Sequence, residues 1–561
     1  MAAPQQSIID TRSAQMFFAL DPTEIERVRR FGTCRTYAAG EALANVGQVA
    51  QGVTIIISGE VDIWQRMRSG PNRLIVTHHP GSFMGELAQL SGRPALIDAY
   101  AKGPVHTLII PTDRLRALLI AEADLGERIM RALILRRVGL IETGSGGPVI
   151  VGRAGNGDTL RLENFLRRNG HPHQSLDPET DAEARALVEK FNIDPNQLPM
   201  VLCPSGALLH NPSENTLARC LGLVGTLDPN KVYDVAVVGA GPAGLATAAY
   251  AASEGLSVIV LDCRAFGGQA GASARIENYL GFPTGISGIA LMARAFNQAQ
   301  KFGAEMAIPT EVTGLELRGD GNDESKGRFV LRLANDETTT ARAVVASNGA
   351  RYRRLSVPGL EEFEASSVHY WASPLEGKLC GGEEVVLVGA GNSAGQATVY
   401  LASQAKKVWL LVRGPSMSAT MSRYLVDRIS GLANVEVLTQ TEISGLEGKD
   451  SMLEAIRWKD ASSRETIHAV RHLFMFIGVD PNTDWLSGAD VTLDQKGFVV
   501  TGKGNAGPLE TNVHGLFAVG DIRSGSVKRV AASVGEGAQV VAALHAFLPE
   551  AEREVSVAAK A

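Results

Sequence analysis

The chain has few cysteines, and none of them are spaced for chemistry. Cys34, Cys203, Cys220, Cys263 and Cys380 are scattered through 561 residues, with no Cys-x-x-Cys among them. That spacing excludes a sequence-local redox dithiol and a recognisable zinc cluster, so no metal site is expected. Reduced thiols are the expectation, with Cys203 and Cys220 as small buried hydrophobes. Charge of one sign is lacking too: 20% of residues are charged and the formal net charge is −6. That balance points to neither nucleic acid nor an anionic membrane. The N-terminus lacks the cationic start and apolar core of a signal peptide. No apolar run is read as approaching the ~18 residues that cross a bilayer. A cytoplasmic globular protein of several domains is expected.

One stretch organises the rest. Residues 232–262 open with an apolar β-type run, turn through Gly239-Ala240-Gly241-Pro242-Ala243-Gly244, continue as a small-residue helical pattern, and close a second apolar run at Asp262. Gly239 permits the tight turn, Gly241 admits a pyrophosphate to the backbone, and Gly244 lets helix and strand pack closely. The helix start offers free N–H groups to phosphate. Asp262 falls about 20 residues on, where an acid accepts from an adenosine ribose. Strand, turn, helix, strand and acid agree on a dinucleotide site.

A second such unit follows: Val385–Val388, Gly389-Ala390-Gly391-Asn392-Ser393-Ala394, a small-residue helix, and Val408–Val412. Two nested folds imply two dinucleotides. The second strand ends at Arg413 with no acid nearby, and Arg423 follows. These arginines favour the 2′-phosphate of NADPH over NADH, the alternative being that both are simply solvated.

Upstream, residues 15–120 read as short strands punctuated by Gly and Pro, the pattern of a small β-barrel or jelly roll. Leu125, Ile129 and Leu133 then mark an amphipathic helix, and Gly144–Pro148 a linker. Residues 148–224 read as strand, helix, helix, then a strand opened by Pro199, a position that suits an edge or a cis peptide.

Several of these stretches carry resemblances. Residues 36–47, 52–64 and 81–94, the last with Gly85-Glu86-Leu87-Ala88, resemble the cyclic nucleotide-binding domain family. The resemblance implies that Glu86 holds a ribose hydroxyl. Where the family pairs an Arg with the cyclic phosphate this chain has Ala95, and Arg93 sits two positions before it. Losing that charge-assisted contact, about 1.5–3 kcal/mol, weighs against cyclic nucleotide binding. The readings left open are a cyclic nucleotide or other effector, or a regulatory or scaffolding barrel without this ligand. The phrases at 163–172 and 197–206 resemble a thioredoxin- or glutaredoxin-like module whose redox cysteines would fall on Asn156 and Thr159.

From 231 onward the chain resembles low-molecular-weight thioredoxin reductases. The matching residues are Phe266-Gly267-Gly268-Gln269, Asn278 within Arg275–Pro283, the loop Ala346–Ala350 with Gly349, and Gly515–Asp521 with Gly520. The resemblance implies FAD, with Asp521 receiving the ribityl hydroxyls and Arg529-Val530-Ala531 passing over the isoalloxazine ring. Where that family carries Cys-x-x-Cys-Asp, this chain has Trp371-Ala372-Ser373-Pro374-Leu375. Trp371 is read as stacking near the flavin or as a core residue, and Cys380 as structural. No residue receives a catalytic assignment.

The expected fold is multidomain: an N-terminal β jelly-roll barrel, a small α/β thioredoxin-like module, then two nested α/β Rossmann-like dinucleotide-binding domains. The boundaries are 10–143, 148–225, 231–350 with 476–550 for FAD, and 351–475 for the nicotinamide. The expected function is NADPH-to-FAD hydride transfer and onward delivery to an unidentified electron acceptor, in a homodimer by family resemblance. The alternatives are a redox sensor with little turnover, and a thioredoxin-disulfide reductase using a partner's thiols.

Overall fold

A computed structural model describes residues 8–66, 72–85, 90, 93–143, 147–190, 193–194, 197–225, 227–318, 328–364, 366–449, 452–504 and 506–558. Glu86, Leu87, Ala88 and most of the Gly144–Pro148 linker lie outside them.

The first part begins with helices α1 (Ile8–Met16) and α2 (Pro22–Arg29). Asp21 caps α2 through a reciprocal exchange with Glu24, and Pro22 fits the first turn because its missing N–H would be unpartnered there. Eight strands follow: β1 (Thr33–Tyr37), β2 (Ala42–Ala44), β3 (Val53–Ser58), β4 (Val61–Gln65), β5 (Arg73–His78), β6 (Phe83–Met84), β7 (Asp98–Ala101) and β8 (Val105–Ile110). They form two four-stranded sheets, β1-β8-β3-β6 and β2-β7-β4-β5. Alternation places Val61 and Ile63 inward from one sheet and Ile56 and Ile109 from the other, in a shared core. Helices α3 (Thr112–Ala121) and α4 (Ala123–Thr143) follow, and the expected stripe Leu125, Ile129, Leu133 packs on Ile55, Phe83 and Leu108.

Next come β9 (Val149–Val151), α5 (Gly157–Arg168), β10 (Gln174–Leu176), α6 (Ala182–Lys190), β11 (Met200–Leu202), β12 (Leu208–His210) and α7 (Glu214–Cys220). The sheet order is β10-β9-β11-β12, with β9 and β10 parallel and β11 antiparallel to both its neighbours. Of the two readings of Pro199, the cis peptide is the one found: Leu198–Pro199 is cis, and the strand that follows is interior, not an edge. One expectation changes. Cys203 and Cys220 are not separate buried thiols but a disulfide, with Cα atoms 6.7 Å apart. Cys203 directly follows β11 and Cys220 ends α7, so the topology joins residues whose separation of 17 in sequence gives no motif.

The remainder builds two nucleotide folds. The first has β13 (Val232–Val238), α8 (Pro242–Ser253), β14 (Val258–Leu261), α9 (Gly268–Ala272), α10 (Gly288–Lys301), β15 (Glu305–Ala307), β16 (Val312–Leu317), β17 (Phe329–Leu333) and β18 (Thr338–Ala346). The chain leaves it by β19 (Ala350–Tyr352), then forms α11 (Leu360–Phe363), β20 (Val368–His369), α12 (Pro374–Leu379), β21 (Glu384–Val388), α13 (Asn392–Ala402), β22 (Lys407–Val412), α14 (Arg423–Ser430) and β23 (Val435–Thr439). A three-stranded sheet of β24 (Glu442–Lys449), β25 (Met452–Lys459) and β26 (Glu465–His468) precedes β27 (His472–Met475). The return runs through β28 (Val479–Pro481), β29 (Leu516–Ala518) and α15 (Val530–Ala558). The sheets are ordered β15-β14-β13-β18-β17-β16, with β29 on β18, and β20-β27-β21-β22-β23. β19 and β28 pair antiparallel as the two chain crossings between the folds.

By length and composition, Val530–Leu548 of α15 is apolar enough to cross a membrane, contrary to the expected lack of such a run. Valine, leucine and alanine carry that hydropathy, and α15 uses its small residues to lie close on α8: a Cβ on Gly537 would stand 2.3 Å from Ala243 O.

Candidate functional site: two nested nucleotide clefts

Glycine geometry builds the first cleft. Gly239 sits at φ +110°, and a Cβ there would meet the Asn348 backbone at 2.4 Å. A Cβ on Gly244 would stand 1.9 Å from Gly239 O, so α8 packs directly on the turn. Gly241 caps α8 with extended backbone, followed by Pro242, which has no N–H to leave unpaired, and by Ala243, whose N–H has no intrahelical acceptor. Gly268, at φ +54°, brings a second loop so near that its Cβ would be 3.1 Å from Gly241 Cα. Gln269 donates to Ala350 O, tying that loop to the start of β19. Gly349, at φ +64°, faces open space.

Asp262 directly follows β14, where an acid is expected, but its carboxylate closes the turn. One oxygen accepts from Ala240 N at 2.9 Å, the other from Arg264 N and Ala265 N at 3.0 and 3.2 Å. From the C-terminal side, Gly520 approaches Ala243, and a Cβ there would be 2.9 Å from the Ala243 Cβ. Asp521 follows, its carboxyl held above the usual range chiefly by burial, with Lys528 opposing and Glu536 adding. Lys528 donates to Asp521 O at 2.6 Å. Glu536 accepts from Gly520 N at 2.7 Å and pairs with Arg523. Sequence reading missed this Glu536–Arg523 brace; no motif announces it. Val530 starts α15 immediately after Arg529, with Ala531 in its first turn. Asn278 is exposed, in a segment whose Leu280 is 93% exposed.

The second cleft repeats the first. Gly389 lies at φ +147° and Gly391 caps α13 at φ −88°, ψ 178°, against −75°, −175° for Gly241. Ala394 is fully buried where the first fold has Gly244. Asn392 accepts from Ser422 N at 2.7 Å, and Thr420 donates to Ala390 O at 2.7 Å, so the segment after β22 folds back over this turn. Ser393 is exposed in the first turn of α13. Arg413 directly follows β22 and is exposed. Arg423 is exposed but its guanidinium already pairs with Asp427 at 2.8 Å, an i,i+4 helix pair.

Trp371 is fixed by a carboxylate. Its indole donates to Glu376 at 3.0 Å, and the same 2%-exposed carboxylate accepts from Ser373 N at 2.9 Å and from the Ser373 hydroxyl. Ser373-Pro374-Leu375-Glu376 has the Ser-x-x-Glu spacing of a capping box at the start of α12, and its carboxylate half is formed, with the tryptophan added. Cys380 is fully buried and its thiol is pushed up to about 11 by burial. Such a group is neither a thiolate nor reachable.

Two glycine turns of the same build, each at a helix start, fit two dinucleotides. Residues 233–537 match the family described as pyridine nucleotide-disulphide oxidoreductase, more than half of the chain. The chain belongs to that family. FAD and NADPH, the two cofactors expected from the sequence, are the family's. Residues 34–122 match the cyclic nucleotide-binding domain. A thioredoxin reductase of Mycoplasmopsis pulmonis is 30% identical over 312 residues, covering 55% of this chain and 96% of that one. A component of the alkyl hydroperoxide reductase of Escherichia coli is 30% identical over 331 residues, 57% of this chain. The chain spans only 59% of that relative's length. Among solved structures, Lactococcus lactis thioredoxin reductase in its FR conformation superposes with a TM-score of 0.52 at 27% identity, over 57% of this chain and 99% of that one.

Proposed function

We propose that the protein is an NADPH-dependent FAD oxidoreductase whose reducing equivalents leave the flavin without a dithiol in the reductase half, and whose N-terminal domain regulates it. The observation that carries this reading is the duplicated glycine cradle. Gly239, Gly241, Pro242, Ala243 and Gly244 would hold the FAD pyrophosphate, closed by Gly268, Gln269 and Gly349. Asp262 would receive the ribose with its remaining lone pairs. Gly520 and Asp521 would take the ribityl chain, and Arg529, Val530 and Ala531 the ring. Gly389, Gly391, Asn392, Ser393 and Ala394 would cradle NADPH. Arg413, which lacks the pairing that engages Arg423, is the better candidate for the 2′-phosphate.

FAD supplies hydride acceptance from the nicotinamide, and the protein supplies orientation and exclusion of water. Glu376 holds Trp371 in one orientation at the position of the missing dithiol. The N-terminal barrel is read as a jelly roll. The strand–helix order of β9 to α7, with β10-β9-β11-β12 in the sheet, supports a thioredoxin-like module.

Anaerobic titration of the purified holoprotein tests the reading. NADPH should bleach the flavin's visible band stoichiometrically, and NADH should require higher concentration. A bound flavin that stays oxidised with both would refute the reading.

A further inference from the structure

In the flavin fold, one strap runs from Asp521 to Arg529, and a lysine closes it on itself. Lys528 donates from its ammonium to Asp521 O at 2.6 Å and to the Ser526 hydroxyl at 2.9 Å. The same ammonium stands 4.5 Å from the centre of the Phe498 ring. We propose that Lys528 is a positioning residue of the flavin site: it keeps Asp521 ionised as an acceptor for the ribityl hydroxyls and holds the strap that delivers Arg529 to the ring. This inference rests on the flavoprotein reading above and deepens it.

Three observations support it. Asp521 needs a counter-charge. Burial raises its carboxyl, Lys528 opposes that rise, and Glu536 of α15 adds to it. No hydrogen bond from a described residue reaches this carboxylate, so the lysine is what favours its charged form.

The other charges that face Lys528 are already engaged. Arg523 pairs with Glu536, which also accepts from Gly520 N at 2.7 Å. Asp494 accepts from the Ser524 hydroxyl at 2.6 Å, and from Lys496 N and Phe498 N at 2.8 and 3.0 Å. Those bonds fasten the turn that presents Phe498 to the strap, and they leave Lys528 as the cation for Asp521.

The strap itself has little packing to hold it. Gly525, at φ +76°, turns in open space, and Val527 is 58% exposed. The bond from Lys528 to Asp521 O therefore ties the residue given to the ribityl chain to the position just before Arg529.

A lost cation and a lost brace have different signatures. Without its cation, a buried carboxyl takes up a proton more readily, and a protonated Asp521 no longer makes charge-assisted bonds to hydroxyls. A missing brace alone would weaken binding equally at every pH.

The experiment titrates the full-length flavin-free protein with FAD, followed by flavin fluorescence, from pH 8 to pH 5.5. In the native protein the dissociation constant should change little over that range. Lys528→Met should raise it about tenfold at pH 8. The constant should rise further as pH falls, by up to about tenfold per pH unit once Asp521 takes its proton. Lys528→Gln keeps a donor without the charge, so it should lose less at pH 8 and show the same pH dependence. Lys528→Arg should restore the flat native profile. In the Asp521→Asn/Lys528→Met double variant the pH dependence should vanish, because the titrating group is gone. Flat profiles in both the Met and Gln variants would overturn the inference, whatever their affinity at pH 8. A native protein that binds no FAD would refute the flavoprotein reading instead, so the two failures are separable.

Discussion

At the scale of single residues, two positions carry most of the first cleft. Gly244 has no room for a side chain, because a Cβ would stand 1.9 Å from Gly239 O and 2.6 Å from Ser347 Oγ. Gly244→Val must push α8 off its turn, an overpacking cost of about 1–3 kcal/mol. The dissociation constant for FAD should rise at least about tenfold, a 1.4 kcal/mol or greater loss of binding, read by titrating the flavin-free variant with FAD. Asp521 makes a different prediction. Its folded-state carboxyl is raised by burial, so the folded protein holds that proton more tightly than the unfolded chain. Stability of the flavin-free protein from this group therefore declines as pH rises through the window above the ordinary carboxylate range. Asp521→Asn should flatten that slope in urea midpoints measured from pH 4 to 7. An unchanged slope would remove Asp521 as its source.

At the scale of elements, the barrel and its covering helix meet at a buried charge. Arg136 of α4 donates to Met16 O, Phe83 O and Gly85 O, each at 2.9 Å, between the rings of Phe17 and Phe83. Burial lowers this guanidinium to about 9. His78, at the end of β5, is 5% exposed and lowered to about 3, by burial and then by Arg136. The unfolded histidine takes its proton near pH 6.5 and the folded one resists. The stability it contributes is present above pH 6.5 and lost as pH falls toward 3, by up to about 1.4 kcal/mol per pH unit. His78→Gln should reduce the acid-induced fall in the barrel's unfolding midpoint, followed by circular dichroism between pH 7 and 4.5.

None of that brace was legible in the sequence, since Arg136 reads as one more charge on a helix whose stripe is Leu125, Ile129 and Leu133. The glycine turns were legible because a positive φ and a missing Cβ leave few alternatives. Between β9 and α7, the strand–helix–helix–strand order of β9, α5, α6 and β11 was legible in hydrophobic period and Pro/Gly punctuation, whereas the three-residue strands β10 and β12 and the short α7 were not. The disulfide was not, because only the packing of α7 against the end of β11 brings Cys220 to Cys203. The hydropathy of α15 was missed because Ser533, Glu536 and Gln539 interrupt its valines and alanines, so no conspicuous apolar run appears.

At the scale of the two nucleotide folds together, chain crossings and one ion pair define their arrangement. Asn348 and Asn482 exchange hydrogen bonds beside β19 and β28, each side-chain amide donating to the other's carbonyl at 2.7 and 2.9 Å. Arg353 pairs with Asp480 along the same ribbon. Away from the ribbon, Arg428 of α14 reaches Glu277 of the flavin fold, at 3.0 and 2.9 Å to its two oxygens. That pair can form only while α14 faces the Glu277 segment, so it biases whatever balance of arrangements the ribbon permits. Both side chains are partly exposed, at 48% and 24%, and such a pair contributes about 0.2–1 kcal/mol. A population shift of at most about fivefold follows. Stopped-flow reduction of the flavin by NADPH reads that shift directly. In the native protein the rate should change by up to about fivefold between 0.1 M and 1 M salt, as the screening length falls from about 10 Å to about 3 Å. Glu277→Gln should start near the high-salt rate and depend much less on salt. Because NADPH binding is itself salt-sensitive, the comparison belongs at saturating NADPH, where only the step after binding is seen. Equal salt dependence in the two proteins would mean that the pair has no hold on the arrangement, and that the ribbon alone sets it.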